Sequence, residues 1–134
     1  MEIGEPGPRR KLIPLCDKIG RDHVAAVVHD FYDRLHRDAL MRPFFEGIGD
    51  FTEHEALIAD FWWTAMGGRI EQPRKFDMLA KHRALGFDAE ALQRWLQVFE
   101  ETLLAHLPPE LAQRWLQMAQ GIADVMQRHL QLGG

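Results

Sequence analysis

The segment VAAVVHDFYDRL, residues 24–35, decides the fold of this chain. Its apolar side chains recur every three or four positions, which is the spacing of residues on one face of an α-helix. That face comprises Val24, Val27, Val28, Phe31, Tyr32 and Leu35. Asp22 stands just before it and is the expected N-cap. Similar spacing recurs along the chain and no segment alternates apolar and polar residues, so the sequence predicts an all-α protein.

Capping residues and helix breakers place the other predicted helices. A short helix is expected over residues 10–19, and Thr52 with Glu55 forms a capping box that opens a longer one. A further short helix is expected over residues 75–85, and Asp88 is the expected N-cap of the helix after it. The last helix follows two prolines, and its expected inward face comprises Trp115, Met118, Ala119, Ile122, Val125, Met126 and His129.

Composition restricts the protein class. With 134 residues, 46% of them hydrophobic and 27% charged, the chain suits one domain with one core. We expect residues 1–10 to be a loose tail and residues 11–132 to form the domain, as a monomer.

The net charge of -4 comes without a basic stripe, which argues against a nucleic-acid partner. No apolar run reaches the roughly 18–20 residues of a membrane span. The single cysteine precludes an intrachain disulfide, which fits a cytoplasmic protein.

His82 is the candidate metal ligand. A neutral imidazole is a standard ligand of haem iron, and the flanking Lys81 and Arg83 could pair with haem propionates. The alternative is a solvated histidine between two charged neighbours. No CxxCH motif occurs, so any haem would be held without thioether links.

Three polar side chains are candidate donors to a ligand in an apolar pocket. Tyr32 lies on the apolar face of its helix, where a buried hydroxyl needs a partner; a bound gas or a backbone carbonyl would serve. Trp95 occupies an inward position, where its indole N–H could donate or the ring could simply fill the core. His54 begins its helix and could gate the pocket, donate a hydrogen bond, or remain at the surface.

Several segments together resemble the truncated haemoglobins, in particular their third group. Each is similar to a signature element of that group, and they follow one another in the family's order over roughly residues 20–130. The segments are FYDRLHRD (31–38), ALMRPFF (39–45), His54 with DFW (60–62), HRAL (82–85) and RWLQVF (94–99).

The resemblance implies a shortened globin, with two helices packed over two and haem b enclosed between them. It implies that His82 binds the iron, that Tyr32 and Trp95 donate hydrogen bonds to the bound gas, and that His54 is a distal, gating histidine. It also implies a set of haem-contacting side chains, namely Phe45, Ile58, Phe61, Met78 and Phe87.

Function follows from the resemblance in three versions. The first is binding of O2, NO or CO at ferrous iron, with the polar distal side favouring slow release over simple oxygen transport. The second is an enzyme, a peroxidase or nitric oxide dioxygenase that needs a separate electron-donor reductase because none is fused to the chain. The third is a globin-like interaction module without haem, in which His82 would be exposed and the pocket collapsed.

Overall fold

The computed structural model describes residues 13–46, 51–69 and 88–129. These residues form helices and connecting turns without any strand, and the all-α prediction is confirmed. No helix in this part of the chain is long and apolar enough to cross a membrane. The predicted tail over residues 1–10 and the predicted helix over residues 75–85 lie outside the described residues. The helices are α1 (Leu15–Ile19), α2 (Arg21–Arg37), a 3-10 helix (Arg42–Phe45), α3 (Phe51–Ala65), α4 (Ala89–His106) and α5 (Pro109–His129).

The helices pack as two pairs in two layers. Helix α2 contacts α3, and α4 contacts α5, while the contact between α2 and α4 joins the pairs. The short α1 contacts both α2 and α5 and so links the two ends of the described chain. This arrangement places the apolar face of α2 between α3 and α4, where the periodicity of residues 24–35 requires it, and every predicted residue of that face is buried.

The junction of α1 and α2 differs from the prediction. Helix α1 begins at Leu15, within the expected range of 10–19, because the carbonyl of Pro14 accepts its first hydrogen bonds. The N-cap of α2 is Gly20, and the predicted cap Asp22 lies inside the first turn. Gly20 ends α1 and begins α2 with a φ of +91°, a conformation that glycine adopts without steric cost, so the one residue between the helices has no side chain with which to cap α2.

The ends of the later helices confirm one predicted cap and correct another. The Asp88 side chain accepts a hydrogen bond from the backbone N–H of Ala91 at 2.8 Å, as expected for an N-cap. Helix α3 begins at Phe51, so Thr52 already lies within it and the predicted capping box is wrong. Val125 on α5 is 36% exposed, although the sequence predicted that it faces inward. The buried residues of this turn are Ala123 and Met126, so the inward face of the helix does not include Val125.

The core is organised around one phenylalanine of α4. The Phe99 ring lies between the stacked rings of Trp62 and Trp95, each with its centroid 5.5 Å away and nearly parallel. The rings of Phe31 and Trp115 meet it in edge-to-face geometry, with their centroids 4.8 and 5.6 Å from the Phe99 centroid. Since these rings come from α2, α3, α4 and α5, their packing fixes all four long helices against one another.

Candidate functional site

Tyr32 of α2 and His54 of α3 form a hydrogen-bonded pair. The hydroxyl oxygen of Tyr32 lies 3.1 Å from Nε2 of His54, and the two rings meet edge to face at 5.1 Å. The donor depends on the histidine tautomer: with Nε2 unprotonated, the tyrosine O–H donates. Two residues that the sequence singled out separately are thus brought together by the packing of α2 on α3.

The environment of Tyr32 keeps its hydroxyl protonated. The side chain is buried, and burial raises its pKa well above the ordinary value of a phenol, with the negative charge of Glu55 acting in the same direction. Glu55 itself accepts a hydrogen bond from His29 at the surface, with 2.9 Å between Oε1 and Nδ1. At neutral pH Tyr32 therefore carries an O–H group that can donate a hydrogen bond.

Aromatic rings enclose this pair. Phe45, in the 3-10 helix, is buried and contacts the Tyr32 ring edge to face at 5.7 Å. Phe51 lies 6.3 Å from the Tyr32 ring and 6.2 Å from the His54 ring. The sequence reasoning missed Phe51, although it precedes His54 by three positions and therefore shares its helix face. These rings surround the hydroxyl with apolar surface, which strengthens any hydrogen bond that it makes.

Trp95 approaches the same region from α4. Its ring is 7% exposed and lies between Phe99 and Phe31, with its centroid 5.6 Å from the Phe31 ring. The Trp95 indole N–H has no hydrogen-bond partner within residues 13–46, 51–69 and 88–129. Phe31 is the neighbour of Tyr32 in sequence, so the two predicted donors lie on adjacent helices with one ring between them.

Helix α3 presents a partly covered apolar face. Ile58 and Phe61 are half-buried, at positions four and seven residues after His54, so that all three project from the same side of the helix. Although α3 is largely apolar, only Ala59 and Trp62 on it are buried. The other predicted site residues, Met78, His82 and Phe87, lie outside the described residues.

The described side chains fit a haem on its distal side. A flat apolar group would cover the half-buried face of α3, which exposes aliphatic and aromatic side chains instead of the polar ones typical of a solvated surface. The buried Tyr32 hydroxyl contacts His54 on that helix, and the Trp95 indole N–H, which has no partner among the described residues, lies one ring away from Tyr32. This donor set suits an uncharged or anionic ligand and offers no hard oxygen cage for a free cation.

An ion pair joins the two helices that carry the donors. Arg94 of α4 directs Nε and one terminal nitrogen to Oδ1 of Asp38, at 2.8 and 2.6 Å, while Oδ2 of Asp38 accepts from the backbone N–H of Met41 at 3.1 Å. The Arg94 guanidinium holds the pKa of Asp38 below its usual range. Since Arg94 precedes Trp95, this contact ties the Trp95 segment to the end of α2. Sequence reasoning did not pair these residues.

A second polar contact holds the other end of α4. Asp30 of α2 accepts from His106 at 2.8 Å and from Arg34 at 3.1 Å. Burial would raise the pKa of Asp30, but the hydrogen bonds from His106 and Arg34 hold it below the ordinary value. Helix α4 is therefore attached to α2 by a carboxylate near each of its ends.

Comparisons with known proteins agree with this architecture. The family model described as bacterial-like globin matches residues 14–128. The chain is 32% identical over 120 residues to the group 3 truncated hemoglobin ctb of Campylobacter jejuni, covering 85% of this chain and 93% of that protein.

Solved structures are similar over the same region. The crystal structure of the group III truncated hemoglobin from Campylobacter jejuni matches with a TM-score of 0.75 and 31% identity, over 82% of this chain and 90% of that chain. The 2/2 hemoglobin from Synechococcus sp. PCC 7002 matches with a TM-score of 0.72 over 81% and 91% of the two chains. At 22% identity, the second match supports the fold alone.

Proposed function

Because the chain belongs to the bacterial-like globins and, among them, to the group III truncated haemoglobins, we propose that it binds haem b and retains a diatomic gas at the ferrous iron. Membership of this family carries globin-type ligand binding at haem with it. The finer proposal is that dioxygen is held tightly instead of being delivered, with NO and CO as further ligands. The observation that carries it is the buried Tyr32 hydroxyl at 3.1 Å from His54.

The chain's own groups would retain the gas by hydrogen bonding. When bound, haem would supply an iron atom at which a diatomic gas can bind. The Tyr32 hydroxyl keeps its proton at neutral pH, as any phenol with an ordinary or raised pKa does, so it can donate to a ligand that carries partial negative charge. The indole N–H of Trp95 can only donate and serves the same purpose from α4. The rings of Phe45 and Phe51 lie against Tyr32 and exclude water, which would compete for its hydroxyl.

The remaining assignments rest on the sequence. We assign the iron-binding nitrogen to His82, with Met78 and Phe87 beside the haem and Phe45, Ile58 and Phe61 on its distal side. An absorption spectrum after addition of hemin tests this. A Soret band that shifts under carbon monoxide supports the proposal. In the His82→Ala variant the band should be lost and should return with imidazole. No Soret band after hemin addition would leave a haem-free interaction module as the function.

The role of Tyr32 is tested by the rate at which dioxygen leaves the ferrous protein. A hydrogen bond to a charged acceptor contributes about 1.5–3 kcal/mol, so Tyr32→Phe should speed dissociation by roughly 10- to 150-fold. His54→Leu is the matched control, because it removes the competing partner of the hydroxyl and leaves the donor in place. We expect dissociation from that variant to be unchanged or slower. Equal rates in Tyr32→Phe and the unmodified protein would overturn the proposed role.

A second candidate function is oxidative turnover, as a peroxidase or a nitric oxide dioxygenase. The observation that favours it is the ring nitrogen of His54 beside the Tyr32 hydroxyl, because this pair can hold a proton and move it within an apolar pocket. Nitric oxide dioxygenation requires a separate electron donor, whereas in peroxidase turnover the oxidised dye supplies the electrons. Peroxide-dependent oxidation of a dye, or formation of nitrate with an added reductase, tests it. Ligand binding without either reaction would support the first function and argue against the second.

A further inference from the structure

The ion pair between Asp38 and Arg94 joins the two segments that carry the hydrogen-bond donors of the distal pocket. Asp38 is the C-cap of α2, the helix of Tyr32, and Arg94 directly precedes Trp95 on α4. We propose that this pair is a positioning device, which holds the Trp95 indole N–H at the place where it donates to a gas bound at the haem. The inference rests on the proposed ligand-binding function and adds the groups that orient one of its donors.

Every polar group of Asp38 is engaged. One carboxylate oxygen accepts from Arg94, and the other accepts from the backbone N–H of Met41 at 3.1 Å. The backbone N–H of Asp38 donates to the carbonyl of Leu35 at 3.2 Å, and its own carbonyl accepts from the N–H of Arg42 at 2.9 Å. Asp38 is therefore fixed between the end of α2 and the start of the 3-10 helix, and its carboxylate cannot turn away from Arg94 without breaking another contact.

The guanidinium of Arg94 is held in one geometry. Nε and one terminal nitrogen donate to Asp38 at 2.8 and 2.6 Å, and the other terminal nitrogen donates to Oε1 of Gln97 at 3.0 Å. A single surface ion pair gains little because a long side chain must be ordered to form it, but here three hydrogen bonds share that cost. Since Arg94 has one preferred position relative to Asp38, the backbone at the adjacent Trp95 has one preferred position relative to α2.

Ring packing alone does not direct the Trp95 N–H. The ring lies nearly parallel to Phe99, with 5.5 Å between the centroids, and it meets Phe31 edge to face at 5.6 Å. These contacts fix the plane of the ring but change little when the ring shifts by a fraction of an ångström within that plane. A hydrogen bond is less tolerant, because it weakens steeply with distance and angle. The N–H has no partner in the described ranges, so its direction follows from the backbone position that Arg94 sets.

A second contact between the same two helices provides an internal comparison. His106 binds Asp30 of α2 at 2.8 Å, at the far end of α4 and roughly 16 Å along the helix axis from Trp95. Both contacts hold α4 against α2, but only Arg94 adjoins the donor. If the ion pair were merely structural, the loss of either contact would have similar consequences, whereas a positioning role confines the effect on the indole to Arg94 and Asp38.

The infrared C–O stretch of the ferrous carbon monoxide complex tests the proposal. A hydrogen bond onto bound carbon monoxide lowers this frequency, so Trp95→Phe should raise it. Asp38→Asn and Arg94→Met should each raise it as well, and neither should raise it further in the Trp95→Phe background. Arg94→Lys retains the positive charge but not the fork of donors, so its frequency should lie between those of the unmodified protein and Arg94→Met.

The sign of the shift separates a lost orientation from a changed charge. Asp38→Asn removes a negative charge and Arg94→Met removes a positive one, so an effect of the electric field alone moves the frequency in opposite directions. A lost orientation moves it in the same direction in both. His106→Leu is the matched control, because it removes the other contact between α2 and α4, and it should leave the frequency unchanged. Dioxygen should also dissociate at least about twofold faster from Asp38→Asn.

The orientation of the indole can also be measured directly. In an NMR spectrum of the diamagnetic carbon monoxide complex, the Trp95 indole N–H resonance is identified by its absence in Trp95→Phe. Asp38→Asn and Arg94→Met should shift this resonance more than those of Trp62 and Trp115, whereas His106→Leu should not.

The outcomes distinguish this inference from the proposed function. If Trp95→Phe raises the frequency but Asp38→Asn and Arg94→Met change neither the frequency nor the resonance, the positioning role is overturned and the function stands. Opposite shifts in Asp38→Asn and Arg94→Met, or an equal shift in His106→Leu, also overturn the positioning role. An unchanged frequency in Trp95→Phe would show that Trp95 does not donate, which overturns both this inference and that part of the proposed function.

Discussion

Replacing Asp38 by Asn tests whether the ion pair between α2 and α4 stabilises the protein. The carboxylate is 11% exposed, and its two oxygens accept from different donors, Arg94 and the backbone N–H of Met41. An amide has the same shape but only one acceptor oxygen. In the Asp38→Asn variant the NH2 group must face either the guanidinium or the backbone N–H, and one donor loses its partner.

The expected loss is about 2 kcal/mol in the free energy of unfolding. A hydrogen bond to a charged group contributes about 1.5–3 kcal/mol, and the 37% exposure of Arg94 places this contact in the lower part of that range because water screens the pair. For a domain of this length, about 2 kcal/mol corresponds to a fall of ~6–10 °C in the melting temperature.

The loss should depend on pH in a defined direction. Arg94 holds the pKa of Asp38 in the folded protein below the value of about 4 that it has when unfolded. The stabilisation is therefore fully present above that unfolded value, and it is lost as the pH falls through the lower, folded pKa. The difference between the two proteins should be constant from about pH 5 to 8 and should shrink below about pH 4.

Urea unfolding followed by circular dichroism measures this difference, with both proteins loaded with hemin. Asp33→Asn is the matched control, because Asp33 pairs with Arg37 at 2.8 Å but both side chains are more than half exposed, at 57% and 68%. The control should lose less than about 0.5 kcal/mol. Equal losses in Asp38→Asn and Asp33→Asn, or a difference that persists at acid pH, would refute the reasoning.

Two further predictions concern a pair of glycines and a surface histidine. Gly67→Ala should destabilise the protein by about 1–2 kcal/mol in a thermal melt, because the φ of Gly67 is +102° and the added Cβ would lie 3.2 Å from Pro14. Gly121→Ala should instead stabilise α5 by about 0.5–1 kcal/mol, because an added Cβ there meets no atom within 4 Å. A change of the same sign in both variants would contradict this. The hydrogen bond and charge of Glu55 raise the pKa of His29, so Glu55→Gln should lower the midpoint of the His29 resonance in a proton NMR titration, and an unchanged midpoint would show that the contact is not formed in solution. The sign follows from a folded pKa above the unfolded one: the contribution of this pair is complete below about pH 6.5 and is lost as the pH rises through the folded value.

The local pattern of the chain determines its helices and their inward faces. The face of α2 and the cap at Asp88 were predictable because each depends on residues within one or two helical turns. The family resemblance likewise follows from short segments in a fixed order, and the comparisons confirm it. Local patterns predict less well where two elements meet, and the sharp turn at Gly20 displaced the expected cap for that reason.

Only the tertiary structure decides which side chains meet across helices. Tyr32 and His54 are 22 residues apart, and Asp38 and Arg94 are 56 residues apart. Their contacts depend on the crossing of α2 with α3 and α4 and on the rotation of each helix about its axis, which the packing around Phe99 sets. Periodicity identifies the side of a helix that is buried but carries no information about the partner that covers it, so the Tyr32–His54 and Asp38–Arg94 contacts are determined only by the packed core.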